Sequence, residues 1–283
     1  MIDAADRPPL DALAVGAMLG AGRTAEVFAW GDDEVLKLLR TGFPERLGQR
    51  EAHVAALVAR LPVGAPRFGG TTRVDGRLGL VYERLRGPSM LDRVAAHPWA
   101  IDRTASRFAE LHAAVHGSDG TGLPGQAADL RLMIDRAGVG LPAGARDAAL
   151  ARLDALPTGS AVCHGDLHPG NVIVTPRAEV VIDWETATCG NPAGDVARTL
   201  FLLRHGRAPD RLPRIQRALI VLAKRRFAST YLRQYRRLLG IDDEELAAWR
   251  LPVLAARLGE GIVEEREALV ELIEREADLR SPG

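Results

Sequence analysis

The sequence predicts an α+β protein, with a small β-rich N-terminal part followed by a larger, mainly helical part. Three observations carry that reading. Strand signals separated by glycine turns fill the chain up to about residue 85. Helical periodicity dominates the rest of the chain. One tight hairpin, over 172–182, interrupts the helical part.

In chain order, residues 13–40 read as a β unit. Leu19 to Val27 holds a glycine-containing turn with Gly20 and Gly22. Val27–Trp30 and Glu34–Leu39 flank the turn signal Gly31-Asp32-Asp33. Lys37 lies in the second of these strands, in V-L-K-L-L. Leu47, Val54, Leu57, Val58 and Leu61 recur at helical spacing, so a helix runs from about Pro44 to Leu61. It contains Glu51 and ends at Pro62. Residues 71–83 read as a hairpin around Asp75-Gly76. Gly87 and Pro88 mark a break, and Ser89 to Asp92 has the pattern of a capping box with Asp in place of Glu. Helices come next over 99–116 and 145–156, then near 193–205, 211–239, 243–257 and 260–279. The 117–128 stretch, with four glycines and a proline, reads as a mobile loop.

Composition narrows the function classes. The chain has 283 residues and 47% hydrophobic content, enough for a two-part molecule with a sizeable core. Formal net charge is zero, so no global field favours nucleic acid. Two cysteines without paired spacing fit a reducing compartment. No apolar run reaches the length of a membrane span, and the N-terminus lacks a basic region followed by an apolar core. The expectation is a soluble cytoplasmic protein that engages neither membranes nor nucleic acid. Only two lysines occur, Lys37 and Lys224, among 37 basic residues. A lysine kept inside an apolar strand of so arginine-rich a chain suggests that its compact ammonium matters.

The densest chemistry lies in C-H-G-D-L-H-P-G-N-V-I-V-T-P-R-A-E-V-V-I-D-W-E, from Cys163 to Glu185. Val172–Val174 and Val180–Ile182 are short β-branched strands, and Thr175–Glu179, with Pro176, is the turn. A hairpin brings its ends together, so Asn171 and Asp183 fall side by side. Two oxygen-bearing side chains there, with Asp166 upstream, suit a hard cation such as Mg²⁺ with a base nearby. Phosphoryl transfer needs that set: a metal against the phosphate charge, and a carboxylate to orient the attacking hydroxyl. Taken singly, an Asp or Asn beside a turn is ordinary turn chemistry.

This segment, H-G-D-L-H-P-G-N followed by I-D-W-E, resembles the catalytic loop and metal-binding segment of the aminoglycoside phosphotransferase and choline kinase-like family. The resemblance extends in order along nearly the whole chain: glycine turn, strand lysine, helix glutamate, linker, catalytic loop, metal aspartate. It implies a two-lobed protein-kinase-like fold, with a nucleotide-binding N-lobe over 1–86 and a catalytic, substrate-binding helical C-lobe over 87–283. It implies Asp166 as catalytic base, Asn171 and Asp183 as Mg²⁺ ligands, and Lys37, paired with Glu51, on the α- and β-phosphates of ATP. Gly20 and Gly22 would let backbone N–H groups approach the phosphates, although Ala25 stands where a third glycine is usual. Glu83 and Leu85, around Arg84, would offer backbone groups to adenine.

Other residues carry competing readings. Lys37 in isolation would snorkel to solvent from an edge strand, and residues 83–85 would be a plain linker. His164 and His168 have the spacing of a zinc pair, but Pro169 and Gly170 prevent the helix such a pair needs; His168 reads as a loop-structuring residue, with a catalytic contribution as the alternative. His112 and His116, one helical turn apart, read as packing or hydrogen-bonding residues. Glu185 either supports the metal or substrate or is a solvated charge. Asp195 caps a helix or braces the catalytic loop. Cys163 reads as packing. The basic 214–237 stretch and the acidic segments after it read as mutually paired faces, while Glu260, Glu264 and Glu265 are candidates to meet a cationic acceptor. Trp99, Trp184, Tyr231, Tyr235 and Trp249 are available for the aromatic cage a choline-type acceptor would want.

The predicted activity is transfer of the ATP γ-phosphoryl group, with Mg²⁺, to a hydroxyl of a small molecule, either an aminoglycoside-like antibiotic or a small metabolite. Two rivals stand beside it. A protein kinase is disfavoured because residues 184–194 leave too little chain between Asp183 and Asp195 for a long activation segment. A nucleotide-binding scaffold that has lost catalysis is disfavoured because all the motif residues are present.

Overall fold

The structure, a computed structural model, describes residues 15–205 and 213–278. The chain divides into two compact units: residues 1–89 with 171–185, and residues 90–170 with 186–283.

The first unit is built on an antiparallel sheet. Its strands are β1 (Val15–Ala21), β2 (Ala25–Trp30), β3 (Glu34–Leu39), β4 (Phe68–Val74) and β5 (Arg77–Glu83), in the order β1-β2-β3-β5-β4. Tight turns at 31–33 and 75–76 join neighbours, with Gly31 at φ 63° and Gly76 at φ 75°, where glycine carries no steric penalty. Strand alternation sorts the side chains of β3. Leu36 and Leu38 pack with Trp30 and Val81 on one side. Leu39 packs with Ala25, Leu78 and Leu80 on the other, where Ala52 of helix α1 (Glu45–Val58) also packs. Lys37 is two residues from Leu39, so it shares the helix-facing side. Gly48 lets α1 come close, since a Cβ there would fall 2.3 Å from Leu39 Cδ1.

Segment 171–185 belongs to this unit through backbone bonds. Strands β7 (Val172–Val174) and β8 (Glu179–Val181) pair Val172 with Val181 and Val174 with Glu179. The Val174 N–H donates to the Pro88 carbonyl and the Val181 N–H to the Gly64 carbonyl, each at 2.9 Å. The Thr175 hydroxyl closes the turn by donating to the Ala178 carbonyl.

The second unit is mostly helical. Its helices are α2 (Met90–Ala96), α3 (Ile101–His116), α4 (Gln126–Ala137), α5 (Ala145–Ala155), α6 (Pro192–His205), α7 (Arg214–Leu239), α8 (Asp243–Leu258) and α9 (Arg266–Asp278). Strands β6 (Ala161–Cys163) and β9 (Thr188–Gly190) pair antiparallel and bracket the loop that carries Asp166. Buried Phe108, Tyr231 and Phe227 join α3 to α7, the former two with ring centroids 5.4 Å apart. Asp242 caps α8 by accepting from the Glu245 N–H.

Two features differ from expectation. Helix α4 starts inside the stretch read as a mobile loop, and β6 and β9 lie in a region read as helical apart from one hairpin. Gly120 serves close packing, since a Cβ there would lie 2.8 Å from the Ala161 carbonyl oxygen. The Gly120 N–H donates to the Ser160 carbonyl at 2.7 Å. The buried Gln126 side chain exchanges two hydrogen bonds with the backbone of Asn191. The first residues of the helix expected over 211–239 lie outside the described residues. No helix among the described residues is long and apolar enough to cross a membrane.

Candidate active site

In the first unit, β3, α1 and the end of the 171–185 hairpin bring one ammonium among three carboxylates. Lys37 Nζ lies 2.9 Å from Glu51 Oε1, 2.8 Å from Asp183 Oδ1 and 3.3 Å from Glu185 Oε2. The Tyr82 hydroxyl donates to Glu51 at 3.0 Å. Burial alone would push Lys37 down, but Glu51, Asp183 and Glu185 outweigh it and hold the ammonium above its ordinary value. Burial also raises the Tyr82 phenol, and Glu51 raises it further. Glu185 is raised by burial and by its carboxylate neighbours, against the pull of Lys37. Removing Lys37 would leave three neighbouring carboxylates without their cation, whereas removing Glu51 would still leave the ammonium Asp183 and Glu185.

This geometry decides between the sequence readings of Lys37: it points to the helix face and meets Glu51, so it does not snorkel from an edge strand. Glu185, ambiguous in sequence, joins the same cluster. Three carboxylates against one ammonium leave an excess of two negative charges. The carboxylate oxygens of Glu51, Asp183 and Glu185 lie within 4.8 Å of one another. A hard divalent cation fits an all-oxygen, anion-rich donor set of this kind. Asp183 has φ 65°, in the left-handed region that Asp tolerates better than most residues. The Ile182 N–H donates to the Asn171 carbonyl at 2.9 Å, so the hairpin closes and sets Asn171 and Asp183 at its joined ends. Asn171 is buried.

The other expected nucleotide residues fall in the same unit. Gly20 lies in β1, and the Gly22 N–H donates to the Ala25 carbonyl at 2.8 Å, closing the turn between β1 and β2. Glu83 ends β5, its carboxylate accepting the Arg67 N–H at 3.2 Å. Leu85 is half-buried in the irregular segment after β5.

In the second unit, Asp166 sits in the loop after β6. Helix α6 holds that loop from three positions on one face, spaced i, i+3 and i+4. Asp195 accepts the backbone N–H groups of His164 and Gly165 at 2.6 and 2.8 Å. Arg198 donates to Asp166 Oδ1 at 3.0 Å. The Thr199 hydroxyl donates to the Leu167 carbonyl at 3.0 Å. Gly165 has φ 80°, and a Cβ there would stand 2.5 Å from the Thr186 carbonyl oxygen, so the loop requires glycine. Burial would raise the Asp166 carboxyl, but Arg198, His168 and Arg257 together hold it below its ordinary value.

Asp195 is completely enclosed. His112 and His116 each place Nε2 3.1 Å from Asp195 Oδ2, and their Nδ1 atoms meet the hydroxyls of Tyr231 and Tyr235 at 2.7 and 2.5 Å. Burial, then His116, pushes His112 down to about 4. Neutral His112 therefore donates from Nε2 and accepts the Tyr231 hydroxyl at Nδ1. The histidines are hydrogen-bonding residues, as their spacing suggested, and Asp195 braces the loop. Capping at the start of α6 falls to Asn191, which accepts the Ala193 N–H at 2.8 Å.

Two acceptor-side expectations change. Glu260 pairs with Arg198 and Arg257, and Glu265 grips Arg257 at 2.6 and 2.7 Å, so both acids are neutralised by arginines and not held open for a cationic acceptor. Tyr231, Tyr235 and Trp249 are buried, the tyrosines bonded to histidines, so they offer no open aromatic cage. Of the basic residues in α7, Arg226 pairs with Asp102 of α3, and Arg236 with Asp243. His168 accepts the Gly170 N–H, in keeping with its loop-structuring reading, and His164 accepts the Asp166 N–H in the same loop. Arg198 and Arg257 were not legible as site residues, being two arginines among many on amphipathic helices.

The profile of the phosphotransferase enzyme family matches residues 18–249. No curated protein matches the chain in sequence. Three solved structures illustrate its likeness in fold. One is an aminoglycoside-3'-phosphotransferase of type VIII, with TM-score 0.58 and 21% identity over 85% of this chain and 92% of that one. Another is a choline/ethanolamine kinase family protein from Mesorhizobium loti, with TM-score 0.55 and 18% identity over 95% and 88%. The third is an amicoumacin kinase, hAmiN, in complex with AMP-PNP, Ca²⁺ and Ami, with TM-score 0.61 and 13% identity over 96% and 90%. With a protein-kinase-like α+β fold and a family match over most of its length, the chain belongs to the phosphotransferase enzyme family.

Proposed function

We propose that this protein transfers the γ-phosphoryl group of ATP, with Mg²⁺, to a hydroxyl of a small molecule. The observation that carries the reading is the cluster of Glu51, Asp183 and Glu185 around Lys37. Lys37 is held by Glu51 and aimed at the α- and β-phosphates, while backbone N–H groups near Gly20 and Gly22 approach the phosphate chain. Backbone groups at Glu83 and Leu85 receive adenine. Asn171 and Asp183 hold Mg²⁺, with Glu185 adding negative charge beside them. The metal, when bound, neutralises phosphate charge and orients the terminal group for in-line displacement.

Asp166 orients the acceptor hydroxyl and takes its proton. The acceptor oxygen forms the new bond to phosphorus, the bond from phosphorus to the β,γ-bridging oxygen breaks, and ADP leaves. The acceptor is an aminoglycoside-like antibiotic or a small metabolite. The pairing of Glu260 and Glu265 with arginines favours an acceptor that does not depend on those acids for a cationic group. The chemistry suits a cytoplasmic enzyme, where ATP and Mg²⁺ are abundant.

Mg-ATP binding and ATP turnover, measured on one preparation of the wild type and of Asp183→Asn, test this reading. The expected result is binding that requires Mg²⁺ and weakens at least ~10-fold in the variant, as loss of a charged metal ligand should produce, with turnover falling alongside. ATP affinity indifferent to both Mg²⁺ and the substitution would remove the cluster from this role. Binding without turnover would mark a nucleotide-binding protein.

A further inference from the structure

We propose that Arg198 is a positioning residue for Asp166, fixing its carboxylate from helix α6. This deepens the reading above and rests on Asp166 acting in it. Arg198 and Arg257 are both buried, at 8% and 6% exposure, so their charges must be met inside the protein. They are met by one connected network. Arg198 divides its terminal nitrogens between Asp166 Oδ1 at 3.0 Å and Glu260 Oε1 at 2.5 Å. Arg257 stands 3.8 Å from the same Asp166 oxygen, donates to Glu260 Oε2 at 2.5 Å and is clamped by both oxygens of Glu265.

Such a network is rigid. A planar guanidinium shared between two carboxylates cannot turn about either one without losing the other. Glu260 lies just after α8 and Glu265 just before α9, so the Arg198 head is anchored from outside its own helix. Both guanidiniums approach Asp166 at Oδ1, which sets the plane of the carboxylate and hence the direction of Oδ2. The backbone of the loop is meanwhile fixed one helical turn away by Asp195. Helix α6 thus holds the loop through its backbone and its acid through the side chain.

The groups around the Asp166 carboxylate are Arg198, Arg257 and His168, which favour its charged form, and Glu260, which shares Arg198 with it. Removing Arg198 takes away the nearest cation and leaves desolvation less opposed, so the carboxyl should titrate higher. An Asp166 that is harder to ionise and free to rotate would orient a hydroxyl less well, without changing how ATP binds.

Two readouts on Arg198→Gln and Arg198→Lys test this. The first is carboxyl NMR of protein labelled with ¹³C at aspartate, with Asp166→Asn used to assign the resonance; it needs no acceptor. In the wild type Asp166 should titrate below the ordinary carboxylate range, in Arg198→Gln it should move up, and Arg198→Lys should restore most of the shift. The second is steady-state turnover with an accepted substrate. We expect kcat to fall roughly 10- to 100-fold in Arg198→Gln, the scale of a misaligned acid–base group, with KM for ATP within about twofold and partial rescue by Arg198→Lys. The double variant Arg198→Gln/Glu260→Gln, which leaves no orphaned Glu260 carboxylate, carries the test if the single variant fails to fold.

An Asp166 resonance that titrates at the same pH in the variants and the wild type would overturn the proposal. So would losses of turnover that track only the folded fraction. If Asp166→Asn itself keeps full turnover, the assignment of the base fails and Arg198 falls with it. If Asp166→Asn is inactive and Arg198→Gln is not impaired, only the present inference fails.

Discussion

Asp166 is the residue whose single substitution should matter most to turnover. Replacing it with Ala should cut turnover at least ~10²-fold, as expected for a positioned acid–base group, with some loss of thermal stability, because buried Arg198 loses one of its two carboxylate partners. Turnover within a few fold of wild type, in a steady-state assay with Mg-ATP, would remove Asp166 from its role. The motif residues were legible because their chemistry is local. Asp166, Asn171 and Asp183 lie in one short stretch whose hairpin pattern states which ends meet. The pairing of Lys37 with Glu51 was legible only through the family resemblance, since Lys37 taken alone reads as an edge-strand lysine, yet the two lie 2.9 Å apart. Arg198 and Arg257 were not. Their significance lies in burial beside Asp166, and burial of an arginine within an amphipathic helix leaves no local signature in so arginine-rich a sequence.

At the level of elements, α6 concentrates the loop-holding contacts, and its partner α3 gives them a dependence on pH. His112 is fully buried and neutral, with a folded value of about 4 against 6.5 for the free side chain. The unfolded chain therefore binds this proton more readily, and acid favours unfolding. The resulting stability is present in full above pH ~6.5 and is lost as pH falls to ~4, by about 3 kcal/mol on the linkage relation. Asp195, held well below its ordinary value although burial alone would raise it, extends the loss to still lower pH. Urea midpoints measured from pH 7 to 4 should fall over that window, and His112→Gln should flatten the slope. A midpoint constant between pH 6.5 and 4 in the wild type would contradict the neutral, buried assignment. The elements were otherwise read unevenly. Strands β2 to β5 and helices α1, α3, α5 and α8 match their patterns closely. Helix α4 and strands β6 and β9 escaped notice because glycines at close backbone approaches, such as Gly120, resemble those of a loose loop, and because three-residue strands are too short to show alternation.

For the molecule as a whole, the order of motifs along the chain was a better guide than a cut by residue number. Segment 171–185 joins the β-rich unit through Pro88 and Gly64, which no local pattern in 171–185 foretells. Zero net charge hides local imbalance: an excess of two negative charges around Lys37 suits a divalent cation, whereas Asp166 stands against two guanidiniums. In the proposed function these are different tasks: the first cluster would bind nucleotide and metal, and Asp166 would activate the acceptor. Whether phosphoryl transfer to a small molecule occurs is read most directly by a mass-spectrometric transfer assay. Purified protein with Mg-ATP is offered pooled aminoglycosides and other antibiotics, amino alcohols, nucleosides and sugars, with Asp166→Asn as control. The expected result is one product class heavier by a single phosphoryl group and absent in the control. ATP bound, but neither consumed nor transferred above the control across these pools, would contradict a phosphoryl-transfer role.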